Sequence, residues 1–184
     1  MFTDTKGRSM NETSIPKRAA RGMGLVALVA MTLTALAAGV ALAATINGTT
    51  GDDRLSGTAA ADTINGFAGN DDVFGLDGAD TVQGGPNQDY LSGGTGDDEV
   101  VGGQGPDEVY GLAGNDRLSG ETEGDQIFAA NDGQRDAISC GAGFDRASVG
   151  LNDVVDDQLV SSVTTLPGDV VSISSCERVT VNLQ

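Results

Sequence analysis

The sequence predicts an all-β chain: a right-handed parallel β-roll of nine-residue repeats, closed by a short C-terminal β cap. Three observations lead there. From Asn47 to Ile127 the chain divides into nine consecutive nonapeptides without a gap. Three positions of that repeat hold the same residue type nine times out of nine. The chain is also strongly acidic, with only 4% aromatic residues, so it lacks the material for a conventional thick core.

The residues before the repeats, 1–43, read as a secretory signal peptide. Lys6, Arg8, Lys17, Arg18 and Arg21 form a basic start, and an uncharged apolar run extends from Leu25 to about Val40. Ala41-Leu42-Ala43 then supplies a small-residue cleavage signal, with Ala44 as the new N-terminus. Arg18 and Arg21 are not adjacent, so no twin-arginine signal is present. The competing reading is an uncleaved anchor, because residues 22–44 are long enough to span a bilayer. Cleavage implies a secreted, extracellular protein with no membrane attachment.

Beyond the leader the chain keeps five basic residues, all arginine, against 25 acidic ones, a balance of −20. It has no Lys, His or Trp there. Such a chain repels itself, resists collapse and calls for cations. Nucleic acid is excluded as a partner, since it requires the opposite sign of charge.

Within the repeats, position two is always glycine: Gly48, Gly57, Gly66, Gly75, Gly84, Gly93, Gly102, Gly111 and Gly120. Position seven is always aspartate: Asp53, Asp62, Asp71, Asp80, Asp89, Asp98, Asp107, Asp116 and Asp125. Position nine is always aliphatic: Leu55, Ile64, Val73, Val82, Leu91, Val100, Val109, Leu118 and Ile127. Position five is glycine in six repeats, at Gly51, Gly69, Gly78, Gly96, Gly105 and Gly114. The glycines are expected to take positive φ in tight turns. The lone aliphatic residue marks a three-residue strand with one inward side chain, joined by a six-residue turn. Two repeats then make an 18-residue coil with strands on two facing sheets, stacked about 4.8 Å apart. Burying one aliphatic side chain contributes about 1.5–3 kcal/mol. Ordering costs near 1–2 kcal/mol for each residue. The core alone should not hold the fold.

These repeats resemble the RTX nonapeptide, G-G-x-G-x-D-x-U-x with U apolar. Residues 93–100 and 102–109 fit it fully, while Thr49, Phe67, Leu76 and Leu112 replace its second glycine. The resemblance implies several Ca²⁺ ions between the turns of adjacent coils, held by Asp carboxylates and backbone carbonyls. The Asp and Gly residues of positions seven and five are the ligand candidates. Ca²⁺ takes six to eight oxygens at about 2.3–2.6 Å, so the chemistry agrees. Ala60 and Ala61, Asn87 and Glu123 depart from the pattern and make Asp62, Asp89 and Asp125 the weaker candidates. The competing reading is a calcium-free solenoid whose aspartates are solvated or cap turns. Aspartates stacked in every coil without neutralisation would repel one another strongly, which counts against it.

After Ile127 the register slips. Asp136-Ala137-Ile138 repeats the Asp-x-aliphatic signature, and residues 140–147 form a degenerate turn. The roll is expected to span 44–149, regular over 47–127 and degenerate over 128–149. The Val-rich segment 150–184 is expected to cap its open end, and 132–177 resembles the cap of small secreted actinobacterial proteins of this type. Cys140 and Cys176 are the only cysteines, and in an exported protein they read as a disulfide.

No enzyme is expected. Without His, no Ser-His-Asp or Cys-His arrangement exists. Without Lys beyond the leader, the Gly-rich turns cannot form a phosphate loop. The function expected is calcium binding that drives or stabilises folding of the roll. The alternative is a structural or adhesive solenoid presenting a rigid surface to a protein or glycan partner. Position four shows no Thr or Asn row, and Phe74, Tyr90 and Tyr110 look too sparse to form an aromatic stripe.

Overall fold

The chain was analysed as a computed structural model describing residues 42–129, 132–150, 153–155, 158–159, 170–173 and 176–181. The side chains of 158, 159, 170–173 and 177 are not among those described. The leader expected over 1–43 therefore lies outside the described residues, except for its last two.

Alternate repeats fall on alternate sides, because each 18-residue coil sends one strand to each of two sheets. The first sheet runs, in spatial order, β1 (Thr45–Asn47), β3 (Thr63–Asn65), β5 (Thr81–Pro86), β7 (Glu99–Gln104), β9 (Arg117–Thr122), β11 (Ala137–Ser139), β13 (Val154–Val155) and β14 (Gln158–Leu159). The second runs β2 (Arg54–Ser56), β4 (Asp72–Asp77), β6 (Tyr90–Thr95), β8 (Glu108–Ala113), β10 (Gln126–Phe128), β12 (Arg146–Val149), β16 (Cys176–Val181) and β15 (Val170–Ile173). Pairing is parallel from β1 to β13 and from β2 to β16. Among the described residues only β14 and β15 pair antiparallel, with β13 and β16, each ending its sheet.

Register follows the repeat. Leu55 pairs with Val73, Val73 with Leu91, Leu91 with Val109 and Val109 with Ile127. On the facing sheet Ile64, Val82, Val100, Leu118 and Ile138 form the matching row. These side chains are almost wholly buried and meet between the sheets as one thin core. A one-residue slip would turn every one of them to solvent, so the single aliphatic residue per repeat fixes the register.

The central strands are longer than three residues. β4 to β9 each span six, from position eight of one repeat to position four of the next, leaving a three-residue turn. The reason lies at positions three and four, whose backbones also pair between coils, as Leu76 does with Gly94 and Asp77 with Thr95. The parallel ladder also continues past Val149, through β13 and β16. Cys140 and Cys176 form a disulfide that ties the loop after β11 to β16.

The aromatic residues are not scattered. Phe74, Tyr90, Tyr110 and Phe128 stand on successive strands of the second sheet, with ring centroids 5.7, 5.0 and 4.6 Å apart. Arg54 lies over the Phe74 ring at 4.8 Å. The stripe escapes a search at one repeat position because Tyr90 occupies position eight and the others position one.

Candidate metal centre

Every position-seven aspartate is buried, though it belongs to a turn. The reason is a hydrogen bond between coils. In one row, the backbone N–H of Asp53 donates to Asp71 Oδ1 at 2.8 Å, and Asp71, Asp89 and Asp107 donate in turn to Asp89, Asp107 and Asp125. In the opposite row Ala44, Asp62, Asp80 and Asp98 donate to Asp62, Asp80, Asp98 and Asp116. Both rows run on beyond the regular repeats. Asp116 donates to Asp136, Asp125 to Asp145 and Asp136 to Asp153. Each carboxylate thus stitches its own turn to the coil before it.

The second carboxylate oxygen decides the chemistry. Oδ2 of Asp71, Asp80, Asp89, Asp98, Asp107, Asp116, Asp125 and Asp136 is buried with no hydrogen-bond donor. It shares a small space beside the position-two glycine with a backbone carbonyl of the next coil. A Cβ placed on Gly66 would lie 2.5 Å from Asp71 Oδ2 and 2.7 Å from the Gly84 carbonyl of the next coil. Gly102 stands likewise to Asp107 Oδ2 at 2.5 Å and to the Gly120 carbonyl at 3.0 Å. This is why position two is always glycine, and the reason differs from the expected one. Position-two glycines do not take positive φ. They are required because a side chain would fill the space between carboxylate and carbonyl.

Positive φ belongs instead to positions three and five. Gly69, Gly78, Gly96, Gly105 and Gly114 adopt it at position five, as do Asn87 and Glu123. At position three Gly85, Gly94 and Gly103 are joined by Phe67, Leu76, Leu112 and Glu121. A left-handed Leu or Phe costs on the order of 1–3 kcal/mol and persists only where its surroundings impose it. The glycines among these residues lie against the position-three or position-five carbonyl of the preceding coil, as Gly85 does against Phe67 and Gly96 against Gly78. Outside the strand ladders, hydrogen bonds between coils use mainly the carbonyls of positions one, four and seven, as at Gln83, Thr95 and Asp71, and the position-three carbonyl at Glu121.

Burial raises the carboxyl pKa values. Asp89, Asp98 and Asp107 are pushed up to about 7, first by loss of water and then by row neighbours of like charge, against the lowering effect of the backbone hydrogen bond. Asp136 also reaches about 7, and Asp116 and Asp125 about 6, from the same leading cause. Asp71, Asp80 and Asp153 are raised as well.

A buried carboxylate oxygen without a donor from the protein is satisfied by a proton, a water or a cation, and a cation alone also offsets the like charge of its row neighbours. The donor set is all hard oxygen, one carboxylate per repeat plus backbone carbonyls, which fits Ca²⁺ and not zinc. Among the described residues no three His, Cys, Asp or Glu side chains converge, so a carboxylate-only cage is not formed. The cation would draw on the main chain.

The ends of the rows differ from the middle. Asp53 Oδ2 accepts from the Thr49 N–H at 2.5 Å and the Thr49 hydroxyl at 2.9 Å, and Asp62 Oδ2 accepts from the Thr58 N–H at 2.5 Å. Asp153 Oδ2 accepts from the Gly150 N–H at 2.5 Å. Asp89 and Asp125, the weaker candidates by sequence, sit in the rows like their neighbours. A Cβ on Gly51 would meet nothing within 4 Å, whereas one on Gly69, Gly78, Gly96, Gly105 or Gly114 would meet the coil before. Asp136, Asp145 and Asp153 were not among the sequence candidates. The Asp-x-aliphatic signature at Asp136 was the signal available for the first of them.

A protein-family model for the RTX calcium-binding nonapeptide repeat, in four copies, matches residues 47–82, 65–100, 74–108 and 92–127. No curated protein matches the chain.

Proposed function

Residues 47–127 are RTX calcium-binding nonapeptide repeats folded as a β-roll, and on that premise we propose that Ca²⁺ drives the folding of a secreted, non-enzymatic protein. The observation that carries this reading is the row of buried Oδ2 atoms without donors. Asp71, Asp80, Asp89, Asp98, Asp107, Asp116, Asp125 and Asp136 would hold the ions, together with turn carbonyls. Bound Ca²⁺ supplies the positive charge that these oxygens lack. With no ion, each buried carboxylate opposes folding, so binding free energy becomes folding free energy. Extracellular Ca²⁺ would then fold the chain after export. N-terminal sequencing of the exported protein should begin at Ala44, whereas an intact leader would favour an anchor.

Titration calorimetry of the full chain tests the site. Row-wise replacement Asp80→Asn/Asp98→Asn/Asp116→Asn/Asp136→Asn should remove about half of the bound Ca²⁺, because it disables one of two rows. Unchanged stoichiometry, or equal competition by Mg²⁺, would overturn the assignment.

A further inference from the structure

Five arginines serve the chain beyond its leader. Arg54 is engaged, ion-paired with Asp72 at 3.0 Å and lying over Phe74. Arg146 and Arg178 are placed differently. They are register partners on the adjacent parallel strands β12 and β16. Both are exposed on the outer face, since Ala147 and Val179 beside them point into the core. Like charges directly opposite one another destabilise a sheet. Among the described residues neither guanidinium has an ion-pair partner. The acid nearest along this column is Glu108, which is separated from Arg146 by Gln126 and accepts a hydrogen bond from the Tyr110 hydroxyl at 3.2 Å.

The neighbouring column adds an apolar surface. Phe128 ends the aromatic stripe, stacked on Tyr110 at 4.6 Å with planes 10° apart. The next residues along its column are Ser148 and Thr180, too small to cover the far side of the ring. Gln126, Phe128, Arg146, Ser148, Arg178 and Thr180 line one shallow groove of about 420 Å³.

We propose that this groove binds an anionic sugar, a pyranose bearing a carboxylate. The two arginines stand on strands about 4.8 Å apart, close enough for both side chains to reach one carboxylate, and Arg binds such planar anions in a fork geometry. The Phe128 ring offers a surface for the C–H face of the pyranose, and the Thr180 and Gln126 side chains suit its hydroxyls. An acidic peptide could use the arginines but has no such face to lay on the ring. The site lies outside the turns and uses none of the aspartates.

The test is calorimetry on the full-length protein in saturating Ca²⁺, with a glucuronate-containing tetrasaccharide and the same sugar with its carboxyls reduced to alcohols. The acidic sugar should bind, and the reduced one at least tenfold more weakly. Arg146→Gln and Arg178→Gln should each weaken binding by at least tenfold while leaving the Ca²⁺-saturated far-UV spectrum unchanged. Phe128→Leu should weaken it several-fold. Equal binding of the reduced sugar, full binding by the double Arg variant, equal binding of an oligoglutamate peptide, or no binding by a correctly folded protein would each overturn the proposal.

Discussion

The first two turns and the central ones share one sequence frame and differ in backbone at positions three and five, neither of which is left-handed in the first two. In the first two, Thr49 and Thr58 hold position three outside the left-handed region, and their N–H groups reach the Asp carboxylate. In the central turns position three is left-handed, at Phe67, Leu76, Gly85, Gly94, Gly103, Leu112 and Glu121, and Oδ2 of the carboxylate has no donor. Threonine is β-branched and strongly resists positive φ. The comparison teaches that a turn of this frame can satisfy its aspartate from its own main chain. The central turns forgo that, at the cost of strained Phe and Leu backbones, and leave an oxygen for a cation. Calcium dependence should therefore reside in the middle of the roll, and the first two turns should contribute little to it.

The largest test of this difference is pH in the absence of Ca²⁺. The central aspartates have folded pKa values above the unfolded 3.8, at about 7 for Asp89, Asp98 and Asp107. The folded state thus binds more protons, so acidification stabilises the metal-free roll. That stabilisation is complete below 3.8 and is lost as pH rises through about 7. A chelated sample should gain β signal in circular dichroism between pH 7 and pH 4, while the Ca²⁺ midpoint should rise over the same window as protons compete. A chelated sample that stays coil at every pH would contradict the buried-carboxylate account.

Glycine replacement comes next. Gly66→Ala would push a methyl between Asp71 Oδ2 and the Gly84 carbonyl. It should cost about 1–3 kcal/mol in Ca²⁺-saturated thermal unfolding, as overpacking does. Gly51→Ala, in the first turn, meets nothing within 4 Å and has no positive φ. It should stay within about 0.5 kcal/mol of the parent. Similar losses at both sites would contradict the close approach of carboxylate and carbonyl at Gly66.

The smallest effect separates two carboxylates of equal burial. Asp98→Asn should raise the Ca²⁺ midpoint of folding and, by removing a buried charge, stabilise the chelated roll. Asp53→Asn should leave the midpoint unchanged and cost about 1 kcal/mol through its bonds to Thr49. Calcium titrations of the two variants, followed by far-UV circular dichroism, make the comparison.

Much of this was legible in the sequence. The 18-residue coil, the two sheets and the core rows follow from position nine. The aspartate rows follow from position seven, and Cys140 with Cys176 from their number. What escaped depends on register between coils. That Gly66 is required by a carbonyl 18 residues away, and not by its own φ, is invisible along the chain. The same holds for the stripe of Phe74, Tyr90, Tyr110 and Phe128, which is assembled only by strand pairing. Strand length was under-read because glycines such as Gly85 and Gly94 signal turns, yet here they pair within strands. Asp145 keeps the nine-residue step from Asp136 and lies in the degenerate turn read from the sequence, although its place in the row was not read; Asp153 follows after only eight residues, which breaks the count.

The most direct measurement is far-UV circular dichroism of the full chain at pH 7.5, disulfide intact, titrated with Ca²⁺ from a chelator and compared with Mg²⁺. The account predicts a coil-rich spectrum that turns to β with Ca²⁺ and not with Mg²⁺. A chelated sample already fully β, with spectrum and melting temperature indifferent to Ca²⁺, would contradict it.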